Sequence, residues 1–455
     1  MLVLLRFAWL DLSWLGFFAL AISIHQVLIL FFSIGSVVPI RYLLGAFMCL
    51  QMLVGPTFAY QGLDDYQHEV YKMKIPAEDY FAYIIPAVIF FIFGLHITAG
   101  QLKGERLEIK AIGDFVDRSG NLPFIFVAIG FCSSIMATYF SSAFNFVFYL
   151  LSSFKFIGAF MLLLGNRALK RSVLILVFGS IILSSLAGAL FHDLLTWIIM
   201  TGSVAAIKYK PPMVVKIAVT FGFILLAVII QQLKGDYRKA AWGQGNSGVG
   251  VFNELYEKKQ ADNSIFSYES LAKSNVRINQ GFIITNIMRT VPASVPHANG
   301  AELGQILEAA FLPRLIAPNK LNAGDRTIFM KYSGMVIRQG TSMGLSSVGD
   351  AYINFGGPGG TVFMFLFGLF LSEVLKGFRK SSRLYPALLL FVPLVFYYPI
   401  RPDCELQTSL GHLVKSSFLV YLIVLIWPSM FLRVKKPLVN EAKKNVDSNE
   451  LAKQI

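Results

Sequence analysis

The chain has 455 residues, 55% of them hydrophobic, 14% aromatic and only 15% charged, with a formal net charge of +14. An ordinary soluble domain is about 25% charged. With a mean hydropathy of +0.62, this chain cannot cover its apolar residues with a wetted polar shell, which excludes a soluble enzyme, a disordered scaffold and a coiled coil.

A helix needs about 20 mostly apolar residues to cross a bilayer core, because lipid offers no partner for free backbone groups. In chain order, apolar runs predict spans near 14–34, 38–58, 80–99, 122–142, 144–165, 172–188, 191–207 and 213–233, then 358–376, 385–400 and 416–433. That is about eleven spans, in a range of ten to twelve. The first runs on into others, so it reads as a span and not as a cleavable signal peptide. The expected fold is an all-α polytopic integral membrane protein. Residues 1–233 form an N-terminal bundle of about eight helices, 234–355 a large, partly helical periplasmic or extracellular loop, 356–433 about three more helices, and 434–455 a cytoplasmic tail.

Basic residues orient the bundle, since short cytoplasmic loops collect Lys and Arg. With the tail inside, the segments on that side carry 21 basic residues, from Arg41 through Lys103, Arg118, Arg171, Lys208, Lys216 and Arg379 to Lys453. The short loops opposite carry four: Lys72, Lys74, Arg401 and Lys415. Most of the positive charge is therefore topological, and nucleic acid is not an expected partner. The bilayer is.

Residues 234–355 are too long for a structureless connector. Trp242–Gly250 reads as loop, whereas Gly281–Met288 and Glu302–Leu312 have helical apolar spacing and are expected to pack back on the bundle. Between Arg277 and Arg338 this segment carries Arg277, Arg289, Arg314, Lys320, Arg326, Lys331 and Arg338 against Glu302, Glu308 and Asp325. Membrane insertion hardly governs charge in long loops. Guanidinium groups pair bidentately with phosphate oxygens, so Arg277, Arg289, Arg314 and Arg338 are candidate pyrophosphate ligands. Arg289–Gly300 holds two prolines and His297, a residue suited to accepting a proton near neutral pH. The block Gly349–Gly360 leads straight into a span, with Pro358 suited to a first helical turn and the free N–H groups of a helix start facing the outer surface. Asp350, Tyr352 and Asn354 lie at that boundary. Arg401, Asp403, Glu405 and His412 read as an outer loop roofing the same cavity, with Arg401 and His412 as cavity residues. Lys155 lies inside an apolar run, which makes it a functional candidate, and His192-Asp193 stands at an outer turn.

Other chemistries lack their motifs. There is no Gly-x-x-x-x-Gly-Lys-Ser/Thr loop, no His-Glu-x-x-His, no Gly-x-Ser-x-Gly elbow and no matching half-repeat of the kind many transporters show. Three cysteines, Cys49, Cys132 and Cys404, make neither a disulfide framework nor a metal site. No metal and no cofactor are expected.

The chain resembles Wzy-type O-antigen polymerases, also called oligosaccharide repeat unit polymerases. The resemblance rests on Arg277-Ile-Asn-Gln-Gly281, on the Gly349–Gly360 block leading into the next span, on two Arg-x10-Gly patterns (Arg289 to Gly300, Arg338 to Gly349), and on many spans with one large Arg-rich outer loop in the second half. It implies a fold similar to C-type glycosyltransferases and a place in the bacterial cytoplasmic (inner) membrane. The implied activity is polymerisation of undecaprenyl-pyrophosphate-linked oligosaccharide units into a surface polysaccharide such as O-antigen, capsule or exopolysaccharide. A flippase and a chain-length regulator of the same pathway are the implied partners. The Arg cluster would stabilise the departing pyrophosphate, and Asp350, His297 or Glu302 would accept the proton. The alternatives are a ligase-like glycan transferase and a lipid-linked oligosaccharide flippase or other transporter.

Overall fold

The computed structural model describes residues 12–66, 68–98, 107–140, 145–165, 170–243, 245–262, 265, 267–312, 316–322, 324–338 and 343–432. All regular elements among them are helical. The N-terminal half comprises α1 (Trp14–Ser33), α2 (Ile40–Tyr60, with a wide turn at Leu50–Val54), α3 (Ala77–Ile97), α4 (Ile109–Arg118), α5 (Leu122–Met136), α6 (Asn145–Ser152), α7 (Phe154–Leu164), α8 (Lys170–Gly188), α9 (His192–Tyr209) and α10 (Met213–Arg238). The middle segment folds into α11 (Val249–Ala261), α12 (Tyr268–Ile278), α13 (Gly281–Thr290), α14 (Ala301–Phe311) and α15 (Arg326–Ser333). The chain closes with α16 (Ser346–Ser382), α17 (Val392–Val395), α18 (Leu406–Ile426) and α19 (Pro428–Phe431). The helices expected near 281–288 and 302–312 are thus present as α13 and α14.

Among the described residues, eight helical segments are long and apolar enough to cross a membrane, or nine if α4 and α5, bent by 82°, form one broken span. The sequence suggested about eleven. One difference is 385–400, which folds as a 3-10 turn at Pro386–Leu390, the single turn α17 and further turns. Pro386, Pro393 and Pro399 remove backbone donors along this run. Its residues from Pro386 to Tyr397 are all buried in protein, where irregular backbone at membrane depth is tolerated. A second is 191–207, where α9 (His192–Tyr209) is helical but is not among the eight. The last span begins at Leu406 rather than near 416, so that His412 is a helix residue.

The centre of the bundle is the long contact between α3 and α16. A Cβ on Gly94 would run into the Phe365 carbonyl, and one on Gly368 into the Phe91 carbonyl, the small-residue packing that brings membrane helices close. Arg41 on α2 is buried beside this pair and donates to the Leu95 carbonyl and to Ser372 Oγ at 2.6 Å. Cations on the tail side of the bundle meet helix C-termini, where the dipole favours them. Lys208 donates to Leu163 O at 2.5 Å and Lys216 to Ile34 O at 2.8 Å.

Helix α10 is different. Only 6% of its apolar window is buried, and it is held at its ends, by Lys216 below and by Tyr237 (to Leu186 O, 2.9 Å) and Arg238 (to Ala189 O, 3.2 Å) above. Between them Val219, Phe221 and Ile224 stand exposed, so its middle presents apolar surface where the bilayer would lie.

Candidate functional site

Four basic side chains from three separate stretches meet where α10 ends. Lys234 and Arg238 lie four residues apart, hence on one face of α10. Lys234 is within electrostatic reach of Arg238, Arg277 at the end of α12, Arg401 and Asp403, and Arg238 is within reach of Arg277. His192, opening α9, faces Arg401, Asp403 and Lys234.

The pair Arg401–Asp403 is the fixed part of this group, with Nη2 to Oδ2 at 3.1 Å and the guanidinium 5.4 Å from the Tyr398 ring centre. Burial works against both charges. Even so, Asp403, Cys404 and Tyr397 hold Arg401 more firmly protonated than usual. Burial alone would raise the Asp403 carboxyl, but Arg401, with His192, holds it below its ordinary range. Burial pushes the adjacent Cys404 thiol up to about 12, so it stays protonated. Arg401 Nε and Asp403 Oδ1 are buried with no hydrogen-bond partner among the described residues. Lys234 is thus within electrostatic reach of three other cations, and repulsion among like charges in such a place is relieved by an anion seated beside them.

Of the residues singled out in the sequence, Arg277 and Arg401 belong to this group. Arg289 is exposed on α13 and donates to Asn286 Oδ1 at 3.0 Å. Arg338 is exposed after α15, and Arg314 lies outside the described residues. Among the described residues, the cations within reach of Arg277 come from α10, and Lys234 also reaches the 401 loop.

Asp350 and Glu302 share a different place. A cavity of about 420 Å³, its open mouth included, is lined by Glu302, Asp325, Tyr332, Asp350, Glu405 and Gln407 among apolar residues. Its carboxylates hold helix starts. Asp325 Oδ1 accepts from Thr327 and Ile328 N–H at 2.9 and 3.2 Å, capping α15. Asp350 Oδ2 accepts from Leu406 N–H at 2.8 Å, at the start of α18. Glu405 Oε1 accepts from Thr408 Oγ1 at 2.7 Å and from Gly324 N–H. Glu302 Oε1 accepts from Tyr332 OH at 2.8 Å and Lys331 Nζ at 3.1 Å.

The Gly349–Gly360 block is helix, break and helix rather than a loop. Helix α16 starts at Ser346 and breaks at Gly356 (φ 66, ψ −166), a conformation that glycine adopts without strain. Asn354 Oδ1 accepts from Leu303 N–H at 3.1 Å, tying the start of α14 to this arm. His297 Nδ1 donates to Tyr352 O at 3.2 Å, and its ring edge lies against Gly356. His412, read from the sequence as a loop residue, is 1% exposed inside α18, where Nε2 donates to Leu394 O at 2.7 Å. It packs the core, 4.9 Å from the Tyr398 ring.

Lys234, Arg238 and Tyr397 were missed in the sequence. The spacing of Lys234 and Arg238 was the available signal; their position at the end of an apolar run made them look like ordinary interfacial anchors.

A family model described as a domain of unknown function, DUF8712, matches residues 63–396, well over half of the chain. No curated protein and no solved structure matches the chain.

Proposed function

We propose that this chain, which belongs to the DUF8712 family, is a glycosyltransferase that joins lipid-pyrophosphate-linked oligosaccharide units into a polysaccharide on the outer face of the cytoplasmic membrane, in the manner of the Wzy-type polymerases it resembles. The observation that carries this reading is Lys234, within electrostatic reach of three further cations, Arg238, Arg277 and Arg401, the last paired with Asp403. A lipid pyrophosphate leaving a sugar develops charge on its oxygens, and preorganised cations meet that charge without reorganisation. The bare middle of α10 gives a polyprenyl chain a lateral way in, and Lys234 and Arg238 stand at the end of the same helix.

The transfer has a definite balance. The acceptor hydroxyl oxygen bonds to the anomeric carbon of the growing glycan, the bond from that carbon to the pyrophosphate oxygen breaks, and the electron pair leaves with the lipid pyrophosphate. The hydroxyl proton goes to a base. Two lipid-linked substrates and no redox partner are required.

The test is polymer length with purified protein in proteoliposomes and undecaprenyl-pyrophosphate-linked repeat units. Wild type is expected to yield a ladder of products. Arg277→Ala and Arg401→Ala should each lower turnover by about 10²–10³-fold, the usual loss on removing one oxyanion donor, and leave single units. Wild-type protein that forms no glycosidic bond defeats the proposal. A single transfer to an acceptor that is not lipid-linked would mark a ligase, and movement of intact units across the bilayer without bond formation would mark a flippase.

A further inference from the structure

Asp193 follows His192 in the first turn of α9, at the edge of the cation group. Its Oδ1 accepts from Tyr397 OH at 2.5 Å, while Oδ2 has no hydrogen-bond partner among the described residues. Three phenols, Tyr149, Tyr397 and Tyr398, each lie within electrostatic reach of both Asp193 and Arg401. Lys155 of α7, its ammonium 5.3 and 5.5 Å from the Phe131 and Phe156 ring centres, is within electrostatic reach of Asp193. So one carboxylate stands across a small aromatic patch from the guanidinium that would hold the leaving group, with one oxygen oriented and the other open.

Asp350 Oδ2 and Glu302 Oε1 accept from donors that tie α18 and α15 to the rest of the fold, and His297 donates through Nδ1 to Tyr352 O. Asp193 holds no helix start by a hydrogen bond, and its partner is a single side chain from a distant segment, the arrangement that orients a base for one proton.

We propose that Asp193 is the proton acceptor of the transfer and that Tyr397 positions it, an assignment that rests on the glycan-transfer reading above. The acceptor hydroxyl gives its proton to Oδ2 as its oxygen bonds to the anomeric carbon. The pyrophosphate then departs toward Lys234, Arg238, Arg277 and Arg401.

Steady-state kinetics in proteoliposomes with the lipid-linked repeat unit test this. Asp193→Asn is expected to lower kcat by about 10²–10⁴-fold with KM changed by no more than about threefold, since a base acts in the transition state and not in binding. Asp193→Glu should regain part of that loss. Tyr397→Phe should lower kcat by about tenfold, again at constant KM. An Asp193→Asn enzyme with wild-type kcat, or one changed in KM alone, overturns the assignment while leaving the transfer reading intact. Should Asp193→Asn fail to fold, an unchanged kcat in Tyr397→Phe overturns it. If wild type itself forms no bond, the transfer reading fails and the assignment falls with it.

Discussion

Asp403 keeps its charge in a largely desolvated place because Arg401 stands 3.1 Å away. Its carboxyl lies below its ordinary value of 3.8, so its contribution to stability is complete above that value and is lost as pH falls through the lower native one. Asp403→Asn should therefore flatten acid unfolding below about pH 4, followed by tryptophan fluorescence. At pH 7 the variant should be less stable by roughly 1–2 kcal/mol, short of the loss for a fully buried pair because the side chain is 31% exposed. An unchanged acid limb would mean that Arg401 does not bind this carboxylate in solution. Residues at this scale were unevenly legible. The motif around Arg277 led to a true member of the cation group, but no rule of spacing separates Arg277 from Arg289, whose guanidinium turns to Asn286 one turn back.

At the scale of elements, α3 and α16 decide where everything else sits. Their backbones approach at Gly94 and Gly368, and each glycine faces a carbonyl of the other helix. Gly368→Val should force the pair apart and cost about 1–3 kcal/mol, as overpacking does, seen as a lower melting midpoint in detergent. A midpoint equal to wild type would show that the helices do not touch there. The same element carries the break at Gly356, and its outer arm is buried on nearly all sides from Ser346 to Asn354, with Gly349 against Ile284 and Ile287 of α13. Five small or cyclic residues at 356–360, with Pro358 suited to a first turn, placed the helix start there. Tertiary burial made the first part a helix and confined the irregularity to one residue. At 385–400 the opposite happened. An apolar run long enough for a span became turns, because three prolines and a surround of protein made a lipid-facing helix unnecessary.

For the whole molecule, the basic-residue asymmetry and the cation group make one joint claim about sidedness. In a variant with Cys49, Cys132 and Cys404 replaced, a single cysteine at Lys258 should react with a membrane-impermeant maleimide on intact cells, and one at Lys380 only after permeabilisation. Both positions are exposed, so equal labelling from one side would reverse the orientation or reduce the outer group to a cytoplasmic one.

Hydropathy and loop charge are local quantities that add along a chain, and partition into a bilayer responds to that sum. The sequence alone therefore determined a helical membrane protein with a substantial folded segment between its spans, and proposed which side that segment faces. The company each charge keeps is another matter. His192, Lys234, Arg277 and Arg401 are separated by scores of residues, and their meeting depends on how α9, α10, α12 and the turn before α18 pack, a long-range outcome that no window of sequence contains.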